Sequence, residues 1–346
     1  MSGLNVGQKD GRELRELWQI DVQDYVNDLA WSDDQQFVAA ITVSGQVWVY
    51  SPADHKLHLL GEHVGGGSSI SWRPGTAELA SIGHDGKVKR WEAGSRKLIG
   101  DMDSGADWGT RVTWNPKGSV LAAAAGKWLR LFDTAGKVAY ESDDHESTIA
   151  DIGWNPDGSG VAVAAYFGVT LHIPMIKGRP IRRLEWKGSS LILAWSPTAK
   201  YLVTGEQDSS VHVWYMKTGK DCQMTGFATK VLELSWHRSG DYLATGGSDS
   251  IVLWDCRGAG PEGREPKMLE GHTTRITQLQ FQSHGDQIAS GDADGTVLFW
   301  SPLTHKKPWL MRTFESKVTK LAWSPDDRRL AIGERNGTIT TLGFRE

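Results

Sequence analysis

The stretch GHTTRITQLQFQSHGDQIASGDADGTVLFW, residues 271–300, holds three short apolar segments separated by turn residues. The first ends on the aromatic Phe281, and the second, Ile288-Ala289-Ser290, follows a polar turn. After Asp294-Gly295 the third closes on Trp300. Segments this short, bounded by Gly, Asp and Ser, read as buried strands, not helices.

Outward from Phe281 the same unit recurs along the chain. An aromatic residue closes an apolar segment and precedes a turn at Trp31, Trp72, Trp114, Trp154, Trp195, Trp236, Phe281 and Trp323. The gaps are 41, 42, 40, 41, 41, 45 and 42 residues. Turns such as Arg73-Pro74-Gly75 and Asn155-Pro156-Asp157-Gly158 follow the anchors, and Pro presets the φ that such a turn needs. Third strands end VKRW, LRLF, VHVW, IVLW and VLFW. A period of 40–45 residues with four strands per unit is that of a propeller blade.

The pattern resembles the WD40-repeat family over almost the whole chain. That family's structural tetrad places a His before the first strand, Ser or Thr in the second, Asp in a turn and Trp in the third. The seventh repeat offers His272, Ser290, Asp294 and Trp300, after Gly271; the second offers His63, Ser81, Asp85 and Trp91. The fifth and sixth keep Thr204, Asp208, Trp214 and Thr245, Asp249, Trp254, with Trp186 and Phe227 in place of His. The fourth keeps only His145. These polar residues are expected to be structural, because a buried polar group is costly unless partnered and the relay partners each member.

The resemblance implies an all-β WD40-type propeller of eight four-stranded blades; seven blades is the alternative count. Residues 1–12 are expected to be a flexible tail and 13–346 a single propeller domain. A strand at about 13–20 would complete the last blade and close the ring, removing free sheet edges. The Gly- and Pro-rich segment 257–266 reads as an exposed insertion.

Net charge is −4 with 38 Lys and Arg against 42 Asp and Glu, so no global basicity points to nucleic acid or an anionic membrane. No segment approaches 18 consecutive apolar residues, so no membrane span is read. Cys222 and Cys256 lack a CxxC spacing, which suits a reducing, cytoplasmic setting. No nucleophile elbow or phosphate-binding loop is present. His55 and His58 would fall on opposite faces of a strand, so neither a metal nor a cofactor is assigned.

The loops are then where function is expected. Position −6 from each anchor, and the position before the turn Asp, should ring the top face that the resemblance implies. They bring Lys230, Arg275, Lys317 and Arg335 into a basic arc, with Tyr25, Trp108 and Tyr166 beside it. Aromatic and Arg side chains are enriched at binding hot spots. The expected function is a non-catalytic scaffold that binds partner proteins there, through an acidic or phosphorylated segment, as a subunit of a larger complex. The competing readings are a small-ligand or enzymatic propeller using the central channel, and an accessory protein in metal handling.

Overall fold

The computed structural model describes residues 14–142, 145–173 and 182–344; the expected tail at 1–12 lies outside the described residues. The secondary structure is β throughout, in antiparallel meanders. Each of the eight anchors is the last residue of a strand: Val26–Trp31, Gly67–Trp72, Gly109–Trp114, Asp151–Trp154, Arg182–Trp195, Leu234–Trp236, Ile276–Phe281 and Val318–Trp323. In the second repeat the meander runs Gly67–Trp72, Glu78–Gly83, Lys87–Glu92 and Lys97–Asp103. The second of these strands is buried along its whole length and the fourth is largely exposed.

Among the described residues the strands make seven sheets, six of four strands and one of six. The expectation of eight separate blades is therefore corrected to seven, the alternative count. The cause lies in the fourth repeat. Strand Val161–His172 carries both the second and the third strand of that repeat. It has only a register shift between Tyr166 and Gly168 where the other repeats place a tight turn. Strand Arg182–Trp195 then runs unbroken for 14 residues from the repeat's outer edge to the anchor Trp195. The sheet that holds these two long strands therefore counts six strands instead of four.

The chain divides into two compact units. One is Asn27–Trp195; the other joins the described residues before Asn27 to those after Trp195. In the latter, strand Leu14–Asp21 pairs antiparallel with Thr338–Phe344, from Leu14 opposite Phe344 to Asp21 opposite Thr338. The first described strand thus supplies the outer strand of the last sheet, which the three strands Val318–Trp323, Arg329–Glu334 and Thr338–Phe344 leave incomplete.

The anchors have a second task besides burial. The indole Nε1–H of Trp72 donates to the Ala30 carbonyl at 3.1 Å, that of Trp154 to Thr113 at 3.0 Å, and that of Trp195 to Gly153 at 3.2 Å. Trp323 reaches Gln280 in the same way, at 3.2 Å. In every case the acceptor is the residue just before the preceding anchor, so each ring latches one inner strand to the next.

The tetrad of the second repeat forms as read. His63 Nδ1 lies 2.9 Å from Asp85 Oδ1, and His63 Nε2 lies 2.8 Å from Ser81 Oγ. The Trp91 indole donates to the same Ser81 oxygen at 2.8 Å. Burial pulls the His63 pKa down against the pull of Asp85. In the seventh repeat His272, Ser290 and Trp300 also join, but the carboxylate is Asp292 and not Asp294. Asp292 is fully buried, 2.8 Å from His272 Nδ1, and its other oxygen accepts from the backbone N–H groups of Asp294 and Thr296. Asp294 is exposed on the turn.

This exchange makes a measurable difference. Asp292→Ala removes the partner of a buried imidazole and of two backbone donors, and should destabilise the protein by about 2–3 kcal/mol. Asp294→Ala should stay within about 0.5 kcal/mol of wild type, as exposed substitutions do. Urea denaturation of the two variants checks the order.

Candidate partner-binding surface

The two ring positions predicted from the repeat are joined by backbone hydrogen bonds. Twelve residues after an anchor, an amide N–H donates to the carbonyl six residues before that anchor. The pairs are His84 with Gly66 at 2.9 Å, Gly126 with Trp108 at 3.3 Å, Ala293 with Arg275 at 3.0 Å and Arg335 with Lys317 at 2.9 Å. A repeated rung of this kind sets both side chains on one rim whatever their identity, because the bond uses only the backbone.

In the unit after Trp195, the rim carries the basic residues. Lys230 and Arg335 are exposed; Arg275 and Lys317 are half-buried. The Arg335–Lys317 rung joins the backbones of two of the basic residues. Arg275 faces Glu233, with Nη2 3.7 Å from Oε1. Among the described residues, Lys230, Lys317 and Arg335 have no carboxylate within 4 Å. Tyr25, in the same unit, is half-buried, and Val22 close by donates its N–H to the carbonyl of the turn residue Gly337.

In the unit Asn27–Trp195 the rim is aromatic instead. Trp108 is 65% exposed and holds a φ of +63°. A large side chain in that conformation is uncommon and strained. His84 packs against it, tilted by 37° with ring centroids 4.7 Å apart, and the His84 Nδ1 lies 3.0 Å from the Gly65 carbonyl. Tyr166 is exposed and packs on Phe167 at 4.0 Å, with Phe167 at φ +70°. The sequence reading missed Phe167 as a member of these pairs. Phe167 stands where the tetrad Asp of other repeats would be, and that mismatch was the available signal.

Glu233 was also missed. It lies three residues before its anchor, a position that Asp28 and Asp151 hold in the first and fourth repeats. Those two aspartates accept the N–H groups of Ile70 at 3.0 Å and Leu193 at 3.1 Å, within the next repeat's inner strand. Glu233 is buried, and burial pushes its carboxyl up to about 7 despite Arg275 and nearby backbone N–H groups.

With this geometry in hand, the relatives are informative. The WD40 family (WD domain, G-beta repeat) matches residues 178–215, 220–255, 263–301 and 309–340. A protein of Arabidopsis thaliana, Cell division cycle 20.5, cofactor of APC complex, is 28% identical over 159 residues, 44% of this chain and 33% of that protein. Autophagy-related protein 16 of the same plant is 25% identical over 194 residues, 55% of this chain and 38% of that protein. Protein HIR1 of Cryptococcus neoformans is 25% identical over 236 residues, 66% of this chain and 24% of that protein. The chain thus spans between a quarter and two fifths of the length of these relatives. The crystal structure of the computationally designed Ika8 protein superposes with a TM-score of 0.79 at 22% identity, covering 93% of this chain and 97% of that one. The protein is an all-β propeller. Four of its repeats, between residues 178 and 340, match the WD40 repeat.

The raised carboxyl of Glu233 has a pH signature. Its folded pKa lies above its unfolded value of 4.5. Its contribution to stability is therefore complete below pH 4.5 and is lost as pH rises through about 7. The span amounts to up to about 3 kcal/mol. Glu233→Gln should remove that slope, so its stability relative to wild type should rise between pH 5 and pH 8 in denaturation curves. Glu334 is shifted in the same direction by burial, so the difference between the two proteins is the quantity to read.

Proposed function

We propose that the chain is a non-catalytic interaction scaffold that binds partner proteins on the turn rim. The segment it takes is acidic or phosphorylated, and the basic residues Lys230, Arg275, Lys317 and Arg335 receive it. The observation that carries this reading is the Arg335–Lys317 rung, which joins the backbones of two basic residues, neither of which has a carboxylate within 4 Å among the described residues. On a chain of net charge −4 such a cluster is local, and charge-assisted bonds to carboxylate or phosphate are the strong ones. Like charges held together cost free energy that an anionic partner returns, which gives specificity and speeds association.

The relatives support the general part of the reading: one is named as a cofactor of the APC complex. The repeat supports it from another side. Every polar residue of the tetrads that joins a relay has a structural partner, which leaves the rim as the place where side chains are free to vary. Trp108 and Tyr166 add exposed aromatic rings of the type that anchors partner segments.

The test is an affinity capture with quantitative mass spectrometry, comparing wild type with Arg275→Glu/Lys317→Glu. Partners identified with wild type should be lost or weakened at least tenfold by the double reversal, and their binding to wild type should weaken with added salt. If every identified partner binds the double variant with unchanged affinity, the basic rim is not the docking site.

A further inference from the structure

The fourth repeat breaks the relay and leaves a cavity in its place. Val163 and Phe167 stand where Ser81 and Asp85 stand in the second repeat, and His172 occupies the place of Trp254 in the sixth, 18 residues after the anchor. The tetrad histidine alone remains, as His145. The cavity has a volume of about 150 Å³, and His145, His172, Tyr166, Phe167, Glu146 and Arg183 are among its walls.

His172 is 2% exposed. Its Nδ1 lies 2.9 Å from the Tyr140 hydroxyl, and its Nε2 is buried with no hydrogen-bond partner. Such a buried polar atom is costly. The His145 ring sits edge-on to it, with centroids 5.2 Å apart and planes at 69°. Two imidazoles that share a tetrahedral ion at the usual Zn–N length of about 2.0–2.1 Å hold their centroids roughly 5 Å apart. Ligating histidines commonly engage their second ring nitrogen in a hydrogen bond that fixes the tautomer, which is the part Tyr140 plays here. Burial and the neighbouring His145 hold the His172 pKa down at about 4.

We propose that His145 and His172 bind one divalent transition-metal ion of the class that prefers imidazole (Zn²⁺, Cu²⁺ or Ni²⁺), with water completing its coordination. The cavity has room for the ion and a few waters, each of which takes about 30 Å³ in the liquid. Hard, oxygen-seeking ions such as Ca²⁺ and Mg²⁺ are disfavoured by this donor set. Among the described residues no cluster of three or more His, Cys, Asp or Glu side chains is placed to hold a metal, so the site is a two-histidine one. Its histidines are distinct from His55 and His58, considered in the sequence, and from the relay histidine His63. The site is independent of the rim reading.

The full chain, stripped with EDTA and dialysed, is titrated with Zn²⁺ by calorimetry and with Co²⁺ by visible absorption. Wild type should take up one equivalent of Zn²⁺ and show the visible bands of Co²⁺ bound to nitrogen. His145→Ala and His172→Ala should each weaken uptake at least tenfold, and Tyr140→Phe, which leaves both ligands, by roughly tenfold. His145 is only half-buried, so His145→Ala keeps a folded protein, verified by near-UV circular dichroism, even where His172→Ala does not. His305→Ala, an exposed control, should bind as wild type. The proposal is overturned if wild type shows no saturable uptake, if His145→Ala and Tyr140→Phe both bind as tightly as wild type, or if His305→Ala abolishes binding.

Discussion

The hydrogen bond from an anchor indole to the preceding repeat's inner strand is the contact on which the architecture rests. The anchor ring is buried, as for Trp72 and Trp323, and burying a large aromatic side chain is among the larger single contributions to a core. The burial is non-directional and would tolerate several registers. The bond to the carbonyl one residue before the previous anchor admits only one. Each such bond contributes about 1 kcal/mol net, yet its absence would leave a buried N–H without a partner. That asymmetry makes the latch a device of specificity more than of stability.

Phe281 shows what happens where the indole is missing. Phenylalanine cannot donate, and there the backbone N–H of the anchor donates to Ser235 Oγ at 2.8 Å. Trp114 does the same although it is a tryptophan: its buried indole Nε1 has no hydrogen-bond partner, while its backbone N–H meets Ser71 Oγ at 3.0 Å. The serine that accepts in each case is again the residue just before the preceding anchor. The contact between inner strands is thus kept at one sequence offset while the donor changes. This explains why the period survives a change of residue, and why 45 residues fit between Trp236 and Phe281. The extra length lies in the segment 257–266, where Arg257 and Arg264 both pair with Asp255 at 2.7 Å. The insertion is gathered close to its own third strand and does not disturb the inner one.

Much of this was legible in the sequence because it depends on spacing. The anchors, the first strands they end and the pairing of the N-terminal strand with the last sheet all follow from a repeat length and a strand count. The departures have causes that spacing does not carry. Asp292 and Asp294 are two residues apart on a strand that enters a turn, so both could be aimed at His272. Burial decided between them, and the deeper one was taken because its second oxygen also holds the turn's N–H groups. The six-stranded sheet depends on what is absent, the tight turn that Tyr166-Phe167-Gly168 replaces. Its residues still look like strand, so the repeat count came out one blade too many. Glu233 stands at a position where other repeats place a polar residue, and only packing reveals that its carboxyl is buried beside Arg275.

Rim and interior are under different constraints, and the difference explains where function can reside. At the rim the rungs are backbone to backbone, from His84 and Gly66 to Arg335 and Lys317. Any side chain is compatible with them, so cations and aromatics can collect there without a penalty to the fold. In the interior the relay is made of side chains, and a repeat that loses one member must re-partner the rest or leave a buried orphan. The second and seventh repeats keep the whole relay. In the sixth, Trp254 donates to Thr245 at 3.1 Å while Phe227 packs against the ring. The fourth repeat takes another course: serine, aspartate and tryptophan are all gone, and what fills part of their space is His172, tied to Tyr140. A large indole replaced by an imidazole leaves volume, and a second histidine retained from the old relay lines it. A cavity with two imidazoles at one repeat, and a rim of cations at others, thus arise from the same rule: positions freed from the repeat's hydrogen bonds are the ones that can acquire a ligand.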